Sequence, residues 1–290
     1  MGTAIATSEE PYALARIGRA LVGRNWSERV GVAGLLAFVL AALFAPLLTP
    51  YDPIALDLAV GLQPPSLAHP FGTDQLGRDI LTRVIFGARI DLQIGAIGVA
   101  VPLVIGVLVG LVAAYYGRWT DAIISRIIDV VIAFPFLVLV IAIVAMLGPG
   151  LINLYIAVTL VSWVLYARIV RGETLALKAR PFVMSARGFG FSDLRIMFRH
   201  ILPNAVAPAF VFGMSDFVLD VQLGATLSFF GLGVQAPTPE WGLMIAESRN
   251  LMMTAPWAVV FPGLAIIALS FFVSLVGDAL ADNVRGIDAG

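Results

Sequence analysis

The chain has 290 residues, of which 60% are hydrophobic and 13% are charged, and its mean hydropathy is +0.95. This composition excludes an ordinary soluble domain and indicates a membrane protein. The formal net charge is −1 and there is no cysteine, which excludes disulfides, thiol nucleophiles and cysteine-based metal centres. The two histidines, His69 and His200, lie far apart in sequence without the spacing of a metal site, so we predict no metal centre.

Six apolar runs are long enough to cross a bilayer, since one transmembrane helix needs about 20 apolar residues. They cover residues 30–49, 91–116, 125–147, 151–169, 204–230 and 257–280. The first run is apolar enough for a signal peptide, but it follows a long tail, residues 1–29, and ends without a small-residue cleavage site. We therefore expect an uncleaved span and an all-α membrane protein, with one domain of six transmembrane helices over residues 30–290.

Basic residues are distributed unevenly between the predicted loops. Of the 18 lysines and arginines, only Arg78, Arg83, Arg89 and Arg249 fall on the side opposite the N-terminus. Because cytoplasmic loops are enriched in lysine and arginine, both termini are predicted to be cytoplasmic. Residues 50–90 and 231–256 then form long outer loops. Residues 170–203 form a cytoplasmic loop between the fourth and fifth helices.

The first outer loop contains apolar residues at helical spacing. These are Ile80, Leu81, Val84 and Ile85, while Arg78, Asp79 and Arg83 occupy other positions. Two structures fit the pattern: an amphipathic helix lying on the outer membrane surface, and a loop helix that packs over the bundle. Trp241 and Trp257 are predicted to anchor the second outer loop at the membrane interface.

The cytoplasmic loop contains an unusually charged stretch, FVMSARGFGFSDLRIMFRHILPN, at residues 182–204. Its apolar spacing predicts two short amphipathic helices. The predicted apolar faces consist of Phe182, Val183, Ala186 and Phe189 in the first helix, and of Leu194, Met197, Phe198 and Ile201 in the second. Such a pair fits either a connector resting on the membrane or a docking element for a cytoplasmic partner.

Turn and capping residues divide this stretch. Gly188 and Gly190 allow a bend between the two helices. Ser192 is the predicted N-cap of the second helix, and Asp193 at its first position suits the positive end of the helix dipole. Pro203 marks the change to the fifth span, because proline lacks the backbone N–H that a helix interior needs.

The stretch also contains a motif. It consists of Met184-Ser185-Ala186, three further residues, Gly190 and, later in the stretch, Leu202-Pro203. This motif resembles the EAA loop of ATP-binding-cassette importer permeases. Two further sequences, HPFGTDQLGRDILTRVIFGARI and LSFFGLGVQAPTPEWG, are similar to those of the second permease subunit of the dipeptide/oligopeptide/nickel group. The similarity covers residues 30–288. It implies that an ATPase subunit is coupled through Met184, Ser185, Ala186, Arg187, Gly190, Asp193 and Pro203.

The chain departs from the family pattern at several positions. Met184 replaces the acidic first residue of the EAA pattern, Ser185 stands at the second position, and His200 stands where the pattern has isoleucine. In the family, the acid is expected to help seat the loop on the ATPase subunit, so that polar contact does not carry over. Gly224 falls where related permeases often carry an acid, and the role of that acid does not carry over either.

The chain has one lysine, Lys178, and no glycine-rich loop before it, so we predict no nucleotide site, catalytic residue or cofactor in this chain. By resemblance, ATP and Mg bind partner subunits. The implied partners are a homologous first-type permease subunit in a heterodimer, two ATPase subunits, an extracytoplasmic solute-binding protein and the lipid bilayer, without nucleic acid. The implied location is the cytoplasmic membrane of a bacterium or archaeon.

Asp216 and Asp220 lie four residues apart, and therefore on one face of the fifth span. Because burying charge in a membrane is costly, they are candidate pore-lining residues; hydrogen bonding to neighbouring helices at the subunit interface is the equal alternative. Asp129 is predicted to pair with Arg126 on the third span. Pro135 is predicted to allow a kink in the same span.

The sequence favours a permease subunit that forms half of the pore of an ATP-driven peptide importer and works by alternating access. Dipeptides, oligopeptides and nickel chelates all fit the resemblance. A self-sufficient secondary transporter with Asp216 and Asp220 as ion relay groups is the alternative from another class. A membrane assembly factor without transport activity is a third interpretation.

Overall fold

The computed structural model describes residues 26–288, with side chains up to Val284, and most of these residues are helical. The helices are α1 (Trp26–Leu43), α2 (Ala45–Leu48), α3 (Ile80–Tyr116), α4 (Arg118–Ile132), α5 (Phe136–Leu147), α6 (Leu151–Lys178), α7 (Pro181–Gly188), α8 (Asp193–Arg195), α9 (Leu202–Ala205), α10 (Ala207–Phe229), α11 (Trp241–Ser248) and α12 (Trp257–Asp288). A π-helical turn, Ile196–Ile201, joins α8 to α9. Most of the predicted N-terminal tail lies outside the described residues.

Among the described residues, five single helices are long and apolar enough to cross a membrane: α1, α3, α6, α10 and α12. The pair α4 and α5, which are bent by 88° relative to each other, is a sixth candidate span when the two helices are taken together. The all-α fold with six candidate spans is therefore confirmed. The predicted sidedness stays a prediction, and we call the side that carries residues 181–205 the inner side.

The third span is broken rather than continuous. Helix α4 ends at Ile132, and α5 starts at Phe136 directly after Pro135. A proline lacks the N–H for a helical hydrogen bond and pushes the preceding residue out of the helical region, so the helix ends before it. The predicted kink at Pro135 is thus a full break, and the span predicted as residues 125–147 consists of two helices.

Several spans are longer than their apolar runs. Helix α3 begins at Ile80, where Asp79 is the N-cap and accepts a hydrogen bond from the Thr82 N–H at 2.7 Å. Ile80 and Arg83 are buried, so the apolar pattern in the outer loop belongs to the second span, and the interpretation as a separate surface helix is wrong. Helix α6 likewise continues to Lys178, beyond the predicted end at residue 169.

Small residues allow α3 and α6 to pack closely. A Cβ atom at Gly106 would lie 2.5 Å from the backbone oxygen of Trp163, and one at Gly110 would overlap the backbone of Ala167. Glycine is required at both positions because the two backbones nearly touch, which is typical of membrane helices. Residues 181–205, on the inner side, pack against this closely packed pair of helices.

Candidate functional site

The inner segment between α6 and α10, residues 181–205, is a compact helical unit that we call the coupling segment. It consists of α7, a turn, and a second helix formed by α8, the π-helical turn and α9. Gly190 lies in the turn with φ = +77°, a left-handed conformation that favours glycine. Ser192 caps the second helix, since its hydroxyl accepts a hydrogen bond from the Arg195 N–H at 3.4 Å. The predicted pair of helices and the predicted N-cap are confirmed.

One face of the coupling segment is buried against the membrane helices. Val183 and Ala186 of α7 pack with Ile196, Met197 and Ile201 of the second helix. The same apolar cluster includes Tyr115 at the inner end of α3, together with Tyr166 and Val170 of α6. The segment is therefore held on the bundle by burial of apolar side chains, the main stabilising force between packed elements.

The opposite face exposes large apolar side chains, which we call the exposed apolar face. Phe182, Met184, Phe189, Leu194 and Phe198 are between 43% and 79% exposed. The helical spacing predicted that Phe182 and Phe189 share a face with Val183 and Ala186, and that Leu194 and Phe198 share one with Met197 and Ile201. This grouping is wrong.

Part of the different grouping follows from local backbone geometry. Helix α7 ends at Gly188, so Phe189 lies beyond the helix and does not follow its spacing. In the second helix, the π-helical turn closes hydrogen bonds over five residues, as between the Leu202 N–H and the Met197 oxygen. The α-helical spacing of three and four residues therefore fails to predict which side chains share a face there. Pro203, the second residue of α9, is half-buried directly after this turn.

Polar contacts also tie the coupling segment to α3. The Tyr115 hydroxyl donates a hydrogen bond to Asp193 Oδ1 at 2.6 Å. Lys178 Nζ donates to the backbone oxygens of Ala114 and Tyr115 at 2.8 and 2.7 Å, at the end of α3 where carbonyl groups lack helical partners. The Arg187 guanidinium lies 5.3 Å from the centre of the Tyr115 ring. Tyr115 therefore contacts both Asp193 and Arg187, which are predicted site residues. The role of Tyr115 itself was not predicted from the sequence.

The intramembrane acids of α10 are buried inside this chain. The Tyr166 hydroxyl of α6 donates a hydrogen bond to Asp216 Oδ2 at 2.7 Å. Asp220 faces Gly98 of α3, where a Cβ atom would overlap its carboxyl group, and neither Asp220 oxygen has a hydrogen-bond partner among the described residues. The bond to Tyr166 is a contact between helices, and the role of both residues in lining a pore stays a prediction.

Two ion pairs lie in the inner half of the broken span. Arg126 Nη1 and Asp129 Oδ2, the predicted pair, lie 4.0 Å apart, and both side chains are exposed. Asp121 of α4 and Arg171 of α6 form a shorter, two-pronged pair with distances of 2.5 and 2.8 Å. The second pair joins different helices, and its 50-residue separation gave no local sequence signal.

A buried ionic cluster joins the outer loops. Arg78 contacts Asp74 at 2.7 Å and Glu247 at 2.8 Å, and Arg83 contacts the same Glu247 oxygen at 3.1 Å. Arg78 and Arg83 are almost fully buried, so each guanidinium needs these partners to offset lost hydration. The cluster fixes α11 to the start of α3. Within residues 26–284, no three histidine, aspartate or glutamate side chains are grouped as metal ligands would be.

Comparison with known proteins gives the family. Residues 106–286 match the model of the binding-protein-dependent transport system inner membrane component. The chain belongs to this family. Residues 24–65 of this permease also match the N-terminal transmembrane domain of oligopeptide transport permease C. The resemblance identified in the sequence is therefore confirmed, and it places the permease in the bacterial cytoplasmic membrane as a multi-pass transport component.

Individual relatives cover most of the permease. It is 45% identical to the dipeptide transport system permease protein DppC of Alkalihalophilus pseudofirmus, over 89% of this chain and 85% of the relative. It is 44% identical to the glutathione transport system permease protein GsiD of Pectobacterium atrosepticum, over 86% and 84%. A putative peptide transport system permease protein of Brucella abortus is 42% identical, over 89% and 87%. These relatives favour the importer over the ion-coupled secondary transporter.

Proposed function

We propose that this permease forms half of the membrane pore of an ATP-driven importer for dipeptides and longer peptides. The observation that carries the proposal is the coupling segment, with one face buried against α3 and α6 and five apolar side chains exposed on the other face. The names of these relatives support the substrate class, since they refer to dipeptide, glutathione and peptide transport.

The exposed apolar face is the proposed binding surface for a cytoplasmic ATPase subunit. Large apolar side chains in water favour association because binding removes their surface from water. Arg187, Arg195 and Arg199 of the same segment are exposed, so they would add positive charge that favours an acidic partner surface. At Met184, a flexible thioether replaces the usual acid, so we expect an apolar contact there instead of a polar one.

Movement of the ATPase subunits would pass into the membrane by two routes. One route is the buried cluster of Val183 and Ala186, together with the Tyr115–Asp193 hydrogen bond, which leads to α3. The other is the continuous backbone from α9 into α10, which carries Asp216 and Asp220. A partner that binds the two pore states with different affinity shifts their populations, which is the basis of alternating access.

The remaining parts of the proposed importer lie outside this chain. They are a homologous permease subunit in a heterodimer, two ATPase subunits that bind ATP and Mg, and an extracytoplasmic solute-binding protein. In this proposal the chain itself holds no nucleotide and catalyses no reaction.

Purification and transport together test the proposal. The permease is isolated from its native membrane in mild detergent, and its partners are identified by mass spectrometry. We expect a second permease and ATPases, and peptide uptake by the reconstituted complex that requires ATP and persists when the ion gradient is abolished. A folded chain that purifies alone and takes up substrate only under an ion gradient would overturn the proposal.

A further inference from the structure

The inner half of the broken span, α4, runs beside α6 into the membrane. Asp121 of α4 pairs with Arg171 of α6. Further along α4, Ile128 packs with Val164 and Ala167. Val164 lies near the midpoint of α6, about 20 Å from either end at the helical rise per residue. The outer part of α4 therefore lies well inside the apolar layer.

Two charged side chains of α4 are exposed at this depth. Arg126 and Asp129 have exposed side-chain fractions of 81% and 66%, and their closest charged atoms, Nη1 and Oδ2, are 4.0 Å apart. Ala122 and Ala133 lie on the same helical face and are also exposed, so we call these four residues the charged stripe. An ion pair as long and as exposed as this one compensates little of the hydration that lipid would remove. The charged stripe therefore faces water or a polar partner rather than lipid.

The break that follows the charged stripe has the same requirement. Residues 133–135, which join α4 to α5, are exposed, and the exposed fraction of Phe134 is 56%. The last carbonyl groups of a helix lack helical partners, and Pro135 has no N–H to offer them. Irregular backbone at membrane depth is tolerated where it is buried in protein or lines a water-filled cavity. Because this segment is not buried among the described residues, exposed charge and exposed backbone both favour water beside α4.

A neighbouring face of α4 is apolar. Ile123, Ile127 and Val130 follow helical spacing and are between 46% and 58% exposed, so we call them the apolar stripe. This stripe suits lipid or an apolar partner surface. A third face, which includes Ile128, is buried against α6. Helix α4 thus has separate faces for the bundle, for an apolar neighbour and for water.

We propose that the charged stripe lines the water-filled path of the permease, and that Arg126 and Asp129 bind the charged ends of a passing peptide. The substrate class in this inference rests on the proposed function. A free peptide carries an ammonium and a carboxylate group at neutral pH, and these complement the carboxylate of Asp129 and the guanidinium of Arg126. The pair is loose at 4.0 Å and both side chains are exposed, so each can exchange its partner for the peptide. Such exposed contacts are weak, as transport requires release.

Single cysteines test whether water reaches the charged stripe. The chain has no cysteine, so Ala122→Cys and Ala133→Cys each introduce one thiol in the charged stripe. Ile123→Cys and Val130→Cys are the matched controls in the apolar stripe. The assembled permease, in membrane fragments open on both sides, is treated with a charged methanethiosulfonate reagent.

Only the thiolate reacts, and it forms in water rather than in lipid, so positions 122 and 133 should react about tenfold faster than 123 and 130. Equal rates, or no reaction at 122 and 133, would mean that lipid or a partner covers the charged stripe, and would overturn the proposal.

Protection by peptide tests the binding role. Trialanine, added directly at high concentration, should slow the labelling of Ala133→Cys severalfold. Trialanine that is N-acetylated and C-amidated lacks both charges and should not protect. The double variant of Arg126→Gln with Asp129→Asn should lose the protection. If Ala133→Cys does not fold, Ala122→Cys carries the same measurement. Equal protection by the uncharged peptide, protection that survives the double variant, or no protection by trialanine would each refute the binding role.

These results are separable from the proposed function. Neither labelling nor protection needs ATP or an ATPase subunit, so a permease that fails to import with ATP can still give both. A permease that imports peptide with ATP but leaves positions 122 and 133 unlabelled would refute the charged stripe as a lining of the path, and would leave the importer intact.

Discussion

Removing the Tyr115 hydroxyl should loosen the coupling segment without displacing it. Tyr115→Phe keeps the buried ring and its apolar contacts and removes only the hydrogen bond to Asp193. A hydrogen bond to a charged group contributes about 1.5–3 kcal/mol. Because Asp193 is exposed and water can replace the lost donor, we expect a loss at the lower end, about 1.5 kcal/mol.

That loss corresponds to about a tenfold change in the equilibrium between the closed and locally open segment. Hydrogen exchange measures this equilibrium directly, since amides exchange from the open state. The amides of residues 193–198 should exchange about tenfold faster in Tyr115→Phe than in wild type. Amides in the middle of α3 should be unchanged.

Tyr116→Phe is the matched control, because Tyr116 is the next residue and half of its surface is exposed. It should leave the exchange of residues 193–198 as in wild type. If Tyr115→Phe changes nothing, or if both variants accelerate exchange equally, the Tyr115–Asp193 bond does not hold the segment and the reasoning fails.

Two further predictions concern the turn and the outer loops. Gly190→Ala should reduce stability by about 1–2 kcal/mol, because its left-handed backbone is unfavourable for residues with a Cβ atom. Gly188→Ala, at the last residue of α7 with open space around it, should not lower the melting temperature, and equal losses would contradict the argument. Arg83→Met should reduce stability by about 3 kcal/mol, since it leaves part of a buried ionic cluster unpaired. Arg249→Met, at an exposed position, should have a small effect, and a comparable loss in thermal unfolding would show that the cluster does not stabilise the outer loops.

Features that depend on local sequence could be predicted well. The apolar runs predicted the number of spans, Ser192 predicted the start of the second helix, and Gly190 predicted the turn. Each depends on residues that are near one another in the chain. Helix ends were less predictable, because Ile80 and Lys178 belong to helices that continue as packed, partly polar segments beyond the apolar runs.

Features that depend on tertiary packing could not be predicted. The Tyr115–Asp193 bond joins residues 78 positions apart, and the Arg78–Glu247 pair joins residues 169 positions apart. Neither separation leaves a pattern in the sequence. The division of the coupling segment into buried and exposed faces was also missed, because the π-helical turn changes the spacing on which the prediction depended.

The central claim is that the exposed apolar face binds an ATPase subunit, and cross-linking from single cysteines tests it most directly. The chain has no cysteine, so Phe189→Cys or Leu194→Cys introduces a unique attachment point. Met253→Cys, at a highly exposed position in the second outer loop, is the control. In native membranes we expect positions 189 and 194 to cross-link to an ATPase subunit and position 253 not to. The claim is contradicted if the ATPase subunit copurifies but cross-links to neither position 189 nor position 194. It is also contradicted if position 253 cross-links to the ATPase subunit equally well.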